Sequence, residues 1–179
     1  MRVDIWSDVV CPFCYIGKKR LEKAATEAGV ELEVHWHSYQ LDPEAPVRQE
    51  VSNSERLAQK YNRTLAEVEE MQRNIAAMAK EEGIEFNWEG ANSGNTFNAH
   101  RLIHLAQSKG LGSEAKEAFF FSYMTQGLAI GERETIEDVA SRIGLNPVEV
   151  DDLLESDAYA DFVKFDEEVA REQLQVTGV

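Results

Sequence analysis

Cysteine is scarce: the 179-residue chain has two, Cys11 and Cys14, so no network of disulfides can hold this fold together. Basic residues are also few, 18 against 33 acidic, and the formal charge of −15 repels polyanions. Nucleic acid and anionic membrane surfaces are therefore excluded as expected partners. Hydrophobic runs of membrane-spanning length are missing, as are repeats and low-complexity segments. The start, "MRVDIW", places one Arg and an Asp before the cysteines with no apolar run, so no cleavable leader is expected. That makes the cytosol the expected compartment, where lasting structural disulfides are uncommon. What remains, 43% hydrophobic residues with evenly spread charge, predicts a soluble globular fold: one domain, or a small domain with an insertion.

Both cysteines sit in "DVVCPFCYIGKKRLEKA", residues 8–24. Such a pair can be half a metal site, a staple, or a couple cycling between dithiol and disulfide. Closing so short a loop constrains little of the unfolded chain, which weakens the staple reading. A zinc site needs two more ligands. His35 and His37 share a strand face and His100 and His104 a helix face, but neither makes a second tight motif with the cysteines. No metal is expected, and the histidines read as surface or satisfied interior residues.

The context of the pair favours redox chemistry. Residues 2–6 read as a strand with Val3 and Ile5 on one face, and a helix follows Cys11–Pro12 to a stop at Gly29. Residues 31–37 alternate as a second strand, giving a β-loop-α-β start with parallel strands. At the helix start, unpaired N–H groups and the dipole favour a thiolate at Cys11, the expected nucleophile, partly exposed. Cys14, one turn on and more buried, would resolve the mixed disulfide. Pro12 suits the first turn, where its missing N–H has no partner to lose. The Phe13 side chain can offer the thiolate no hydrogen bond, so the expected potential is mid-range, between roughly −270 and −120 mV. Trp6, Ser7 and Asp8 precede the motif and could line the site; Asp8 reads either as a proton relay for Cys14 or as an exposed loop acid.

From Ser52 onward the pattern is helical for about 120 residues. Thr64 and Glu67 form a capping box before a stripe of Val68, Met71, Ile75, Met78 and Ala79. Asn95 or Thr96 caps the next helix, Ser113 opens "EAKEAFFFSYM", Thr135 caps "IEDVASRIG", and Asn146–Pro147 opens another. Ser156 opens the last, with Tyr159, Phe162, Val163, Asp166, Val169, Ala170 and Gln173 on one side. Phe119–Phe121 read as core.

"DIWSDVVCPFCYIGKKRLEKA", "NTFNAHRLIHLAQ" and "YMTQGLAIGERETIEDVASRIGL" resemble, in order, signatures of the DsbA-like thioredoxin superfamily in its FrnE-like branch. The resemblance implies a thioredoxin-like α/β fold with a large inserted all-helical domain. Residues 1–45 would begin the thioredoxin-like domain, 50–160 form the insertion, and 161–179 return to it. The implied activity is thiol–disulfide exchange with protein or small-molecule thiols and disulfides, with no cofactor beyond glutathione as redox partner or co-substrate. "REQLQVTGV" is similar to the run into the family's active-site loop. The family continues there with a cis-proline loop, two strands and a helix, and Pro12, Pro43, Pro46 and Pro147 cannot supply that proline. A truncated chain, or a sheet completed by a partner chain, is therefore expected, since two strands alone leave open edges. A neighbouring class is the glutathione-dependent kappa-type transferases and 2-hydroxychromene-2-carboxylate isomerases, which carry Ser at the first motif position. Cys11 favours redox instead, while Asn95, Thr96, His100 and Arg101 are candidates for a glutathione or substrate site. A third class is a non-catalytic binding module or zinc-binding protein, whose cysteines would titrate as ordinary thiols. Oligomeric state is not legible.

Overall fold

The computed structural model describes residues 1–175. β1 (Arg2–Ser7) and β2 (Glu33–Ser38) pair in parallel, Val3 opposite Val34 and Ile5 opposite Trp36, with α1 (Pro12–Ala28) as the crossover. Gly29 ends α1 in the left-handed conformation, φ 65°, a backbone state open to Gly at little cost. The helical block follows: α2 (Asn53–Tyr61), α3 (Leu65–Glu81), α4 (Phe97–Gln107), α5 (Gly112–Met124), α6 (Arg133–Arg142), α7 (Pro147–Leu154) and α8 (Ala160–Glu168). α8 runs into a π-helical turn, Val169–Gln173.

The α4–α5 pair is the centre of the core. Leu102, Phe119, Phe120 and Met124 are fully buried there, and Ile136 and Leu153 pack in from α6 and α7. Both α2 and α3 begin with capping boxes, Ser52 with Glu55 and Thr64 with Glu67. A buried amide relay then fixes α2 on α3: Asn53 Nδ2 donates to Gln72 Oε1 (3.3 Å), and Gln72 Nε2 donates to Ser54 Oγ (2.7 Å).

The open edge expected of a two-stranded sheet is closed at β2. Alternate backbone N–H groups along and just past this strand are taken by side chains. Trp36 donates to Gln107 Oε1 (2.9 Å), Ser38 to Asp166 Oδ2 (2.8 Å) and Gln40 to Glu167 Oε1 (2.8 Å). Helices α4 and α8 thus replace a third strand along that edge.

Three predicted helix starts are corrected. α5 begins at Gly112, and Ser113 Oγ instead accepts the indole N–H of Trp36 (3.0 Å). α6 begins at Arg133, leaving Thr135 buried inside its first turn. Ser156 closes α7 by donating to the Asp152 carbonyl (2.6 Å), and α8 starts only after Tyr159 at φ 62°. The predicted face of α8 and the turn after it is correct for Val163, Asp166 and Ala170 but not for Phe162 and Gln173, which are exposed. Phe121 is likewise exposed, whereas Phe119 and Phe120 are core. The run "REQLQVTGV" is described through Gln175; residues 176–179, with the loop expected after them, lie outside the described residues.

Candidate active site

Cys11 is the N-cap of α1 (φ −89°, ψ 111°) and Pro12 occupies the first helical position, as the sequence suggests. The Cys11 carbonyl accepts from Cys14 N (3.2 Å) and Tyr15 N (3.4 Å), which fixes the turn between the two thiols. Both cysteines are free. The expected exposures are reversed: Cys11 is only 2% exposed, and Cys14 is the half-buried one. The reason is the helical block, whose α2 and α3 close over Cys11 to leave a cavity of about 470 Å³. Cys11, Pro12 and Phe13 form one wall, and Met71, Ile75 and Tyr123 face them from the block.

The surroundings pull the two thiol pKa values in opposite directions. The Cys14 thiol donates to Cys11, and this contact, helped by the backbone N–H groups of Cys14 and Phe13, holds Cys11 below an ordinary thiol pKa despite burial and nearby Asp8. The same hydrogen bond, then burial and the Cys11 charge, push Cys14 far up. Phe13 does contribute to the thiolate, but through its backbone; its ring is exposed.

Asp8 is not an exposed loop acid. It is 1% exposed, its Oδ2 accepting from Leu41 N (2.8 Å) and its Oδ1 lying 3.3 Å from Nε2 of buried His100. Burial opposes the Asp8 charge, but His100, Leu41 N–H and Lys116 together keep its pKa below the ordinary range. His100 is held down chiefly by its own burial, against the pull of Asp8.

The sequence reading missed Lys116. This α5 residue is 0% exposed, and its ammonium donates to the Ser7 carbonyl (3.0 Å) and lies over the rings of Trp36 and Phe120. Burial pushes its pKa down to about 8, opposed by Cys14, Asp8 and Cys11. A sequence signal existed: Lys116 stands four residues before Phe120, within the apolar face of α5. Also missed were Arg56, Lys60 and Arg63, which line the cavity from α2 and the residues after it.

Of the other predicted residues, Thr96 lines the cavity beside Asp8 and Cys11. Ser7 is buried, contributing its carbonyl to Lys116. Trp6 lies apart, donating to the Asp166 carbonyl (3.0 Å) and stacking on His37 (4.2 Å). Asn95 Oδ1 accepts from Phe97 N (2.9 Å), so it rather than Thr96 provides the side-chain cap of α4. Arg101 is spent on the carbonyls of Leu153, Ser156 and Ala158, which ties α4 to the end of α7 and away from the cavity. His37 and His104 both engage Asp166, and His35 pairs with Glu33. Among the described residues no group of three or more His, Cys, Asp or Glu could hold a metal ion, and no helix is long and apolar enough to cross a membrane.

Residues 2–179 match the family model described as the DSBA-like thioredoxin domain. A probable DsbA oxidoreductase from Streptomyces coelicolor superposes with a TM-score of 0.91 at 34% identity, over 100% of this chain and 78% of that one. A 2-hydroxychromene-2-carboxylate isomerase shares the fold at 19% identity, TM-score 0.72, over 100% of this chain and 83% of its own. The uncharacterized protein YwbO of Bacillus subtilis is 26% identical over 180 residues, covering 100% of this chain and 84% of YwbO.

Proposed function

Because the chain belongs to the DSBA-like thioredoxin domain family, we propose that it is a thiol–disulfide oxidoreductase in which Cys11 attacks and Cys14 resolves. The observation that carries this reading is the placement of Cys11 as the N-cap of α1, in the wall of the cavity, with Cys14 one turn on. Cys14 donates to Cys11 at the N-terminus of α1, so the thiolate is favoured on the sulfur that lines the cavity. In the oxidative half-reaction, the Cys11 thiolate attacks one sulfur of a substrate disulfide, forming a mixed disulfide. The departing sulfur leaves as a thiolate and takes up a proton. Cys14 then loses its proton and attacks Cys11 Sγ, closing the Cys11–Cys14 bond and expelling the second substrate thiol. The pair loses two electrons, and the substrate disulfide gains them. The cycle runs backward with equal stoichiometry.

Partners under this reading are protein or small-molecule thiols and disulfides, with glutathione as redox partner, in the cytosol. The transferase and isomerase alternative has less support, because Cys11 stands where that class carries serine and the likeness to the isomerase is one of fold.

The test is the equilibrium of the Cys11–Cys14 pair against glutathione buffers, read by alkylation and mass spectrometry. A reversible midpoint between about −270 and −120 mV is expected. A pair that never closes, or closes irreversibly, would remove the oxidoreductase reading. Retention of glutathione transferase activity by Cys11→Ser would favour the alternative class.

A further inference from the structure

A carboxylate outside the cavity grips the active-site helix. Glu117 of α5 is half-buried and accepts from three donors near the start of α1. The Tyr15 hydroxyl and Lys19 Nζ donate to its Oε1 and Lys18 Nζ to its Oε2, each at 2.6 Å. Lys18, 7% exposed, also donates to Glu22 on its own helix (2.6 Å). Burial opposes the Glu117 charge, yet these partners hold its pKa below the usual carboxylate range. Glu117, Tyr15, Lys18 and Lys19 all lie outside the lining of the cavity over Cys11. In a chain with 33 acidic and 18 basic residues, two lysines gathered on one carboxylate set this seam apart.

Tyr15 connects that grip to the thiols. It follows Cys14 directly, and its N–H donates to the Cys11 carbonyl (3.4 Å). Its ring stacks on Phe120, with 4.8 Å between centroids and 11° between planes. The ammonium of Lys116 lies over the same Phe120, 5.5 Å from the ring centre, while it donates to the Ser7 carbonyl. Lys116 and Glu117 are neighbours on α5: one is fully buried beside the thiols, the other sits at the seam with α1. Helix α5 therefore holds the start of α1 at two adjacent points, and a shift of Tyr15 carries Cys14 away from Lys116.

The step at which this spacing counts is closure of the disulfide. In the free dithiol, the hydrogen bond to Cys11, burial and the Cys11 charge all raise Cys14. Once Cys11 is held in a mixed disulfide its charge is gone, and burial is opposed by Lys116 and the Asp8 N–H. The other titratable groups facing the pair are Asp8 itself, paired with His100 of α4, and Tyr123 of α5. Resting on the oxidoreductase reading above, we propose that Glu117 is a positioning residue: through Tyr15 it keeps Cys14 beside Lys116, and so sets the pH at which the mixed disulfide is resolved. In that step Cys14 Sγ bonds to Cys11 Sγ and the bond from Cys11 to the substrate breaks. Its electron pair leaves with the substrate sulfur, which ends with the proton that Cys14 gave up.

The experiment mixes fully reduced protein with 4,4′-dithiodipyridine and follows thiopyridone release by stopped-flow absorbance from pH 5 to 9. Attack by Cys11 releases the first equivalent, and closure by Cys14 the second. Glu117→Ala is expected to slow the second phase about fivefold at pH 7 and to move its profile up by roughly 0.7 pH unit, with the first phase within about twofold. The sign is diagnostic. Deleting an anion and freeing two lysines would, by charge alone, help Cys14 ionise and speed closure. Glu117→Gln, which keeps an oxygen for the Tyr15 hydroxyl, restores most of the rate. Tyr15→Phe, which keeps the ring on Phe120, slows closure as Glu117→Ala does. In a Lys116→Met background, Glu117→Ala moves the second-phase profile no further. Lys109→Gln, at a surface lysine paired with Glu149, leaves both phases as they were.

A second phase that is unchanged or faster in Glu117→Ala overturns this inference while leaving the exchange chemistry standing. So does slowing with no change of profile, or slowing that persists in the Lys116→Met background, since Glu117 would then serve the fold alone. Should Glu117→Ala not fold, Tyr15→Phe decides by the same readings. Wild-type protein that never releases the second equivalent removes the oxidoreductase reading, and this inference with it.

Discussion

Lys116→Met separates what the buried ammonium does for the site from what it does to the fold. Folding lowers the Lys116 pKa from 10.5 to about 8, through burial. At ~1.36 kcal/mol per pH unit, keeping that charge inside the protein costs about 3 kcal/mol at neutral pH. The sign follows from proton counting. Below pH 8 both folded and unfolded chains hold the proton, and the full penalty applies. Between about 8 and 10.5 the unfolded chain binds more proton, so this residue makes stability rise with pH until the penalty is gone. Methionine has a similar length and no charge, so it removes the penalty. It also leaves the Ser7 carbonyl, which now accepts at 3.0 Å, without its donor, a loss of roughly 1–3 kcal/mol.

The two terms nearly offset at pH 7, so Lys116→Met is expected to range from neutral to about 2 kcal/mol more stable there. As the pH rises toward 10.5 that advantage should shrink and reverse. Urea unfolding of both proteins from pH 7 to 10 measures the difference, and groups that titrate alike in both cancel. In the same variant the cysteines lose a neighbouring cation that lowers the Cys14 pKa. Alkylation of Cys11 and closure of the disulfide should then move to higher pH. A variant more than 2 kcal/mol less stable at pH 7, with a gap that does not depend on pH, would refute the reasoning: Lys116 would then act as packing rather than as charge.

Cys14→Ala removes the thiol that donates to Cys11, so the Cys11 pKa should rise toward an ordinary thiol; Cys14→Ser, which keeps a donor, should raise it less. The pH profile of iodoacetamide alkylation distinguishes the two, and equal profiles would assign the low pKa to the helix terminus alone. Asp166→Asn weakens the clamp on β2, where one carboxylate meets Ser38 N (2.8 Å), His37 (2.7 Å) and His104 (3.1 Å). Burial opposes its charge, yet these partners hold Asp166 well below the usual carboxylate range, and Asp166 above all raises His37. The carboxylate's share of stability is therefore present above pH ~4 and the histidine's below pH ~6.5. The loss, about 1–3 kcal/mol, should be greatest near pH 5–6 in chemical denaturation. Gly131→Ala would bring a Cβ to 2.2 Å from the Val47 carbonyl oxygen, a backbone atom that cannot rotate away. A destabilisation of roughly 1–3 kcal/mol is expected by thermal melting, and an unchanged melting temperature would show that the loop yields freely.

The β-α-β start and the place of the cysteines were legible because each rests on local chemistry. Alternation marks the strands, Cys-Pro opens a helix, and Gly29 closes it. The wrong helix starts have a common cause. Ser113, Thr135 and Ser156 carry capping side chains, but tertiary partners or the preceding helix claimed them: the Trp36 indole for Ser113, the core for Thr135, the Asp152 carbonyl for Ser156. A cap is read from one residue, whereas its use is decided by what else lies within reach.

The reversed exposure of Cys11 and Cys14 was out of reach for the same reason on a larger scale. Position in a motif places Cys11 at a helix end, and helix ends are usually open. Here the roof comes from α2 and α3, whose Met71 and Ile75 begin 60 residues later and looked like ordinary core. The electrostatics are split in the same way. Asp8 comes with the motif, but its partners His100 and Lys116 arrive from α4 and α5, 92 and 108 residues further along the chain. Neither helix alone gives its buried charge a purpose. Lys116 would be a plain defect in the apolar face of α5 if the Ser7 carbonyl and the cysteine pair were not beneath it. The fold keeps that expensive cation on the Ser7 carbonyl beside the thiols and Asp8, which is why the pH-dependent stability of Lys116→Met also tests the site's chemistry.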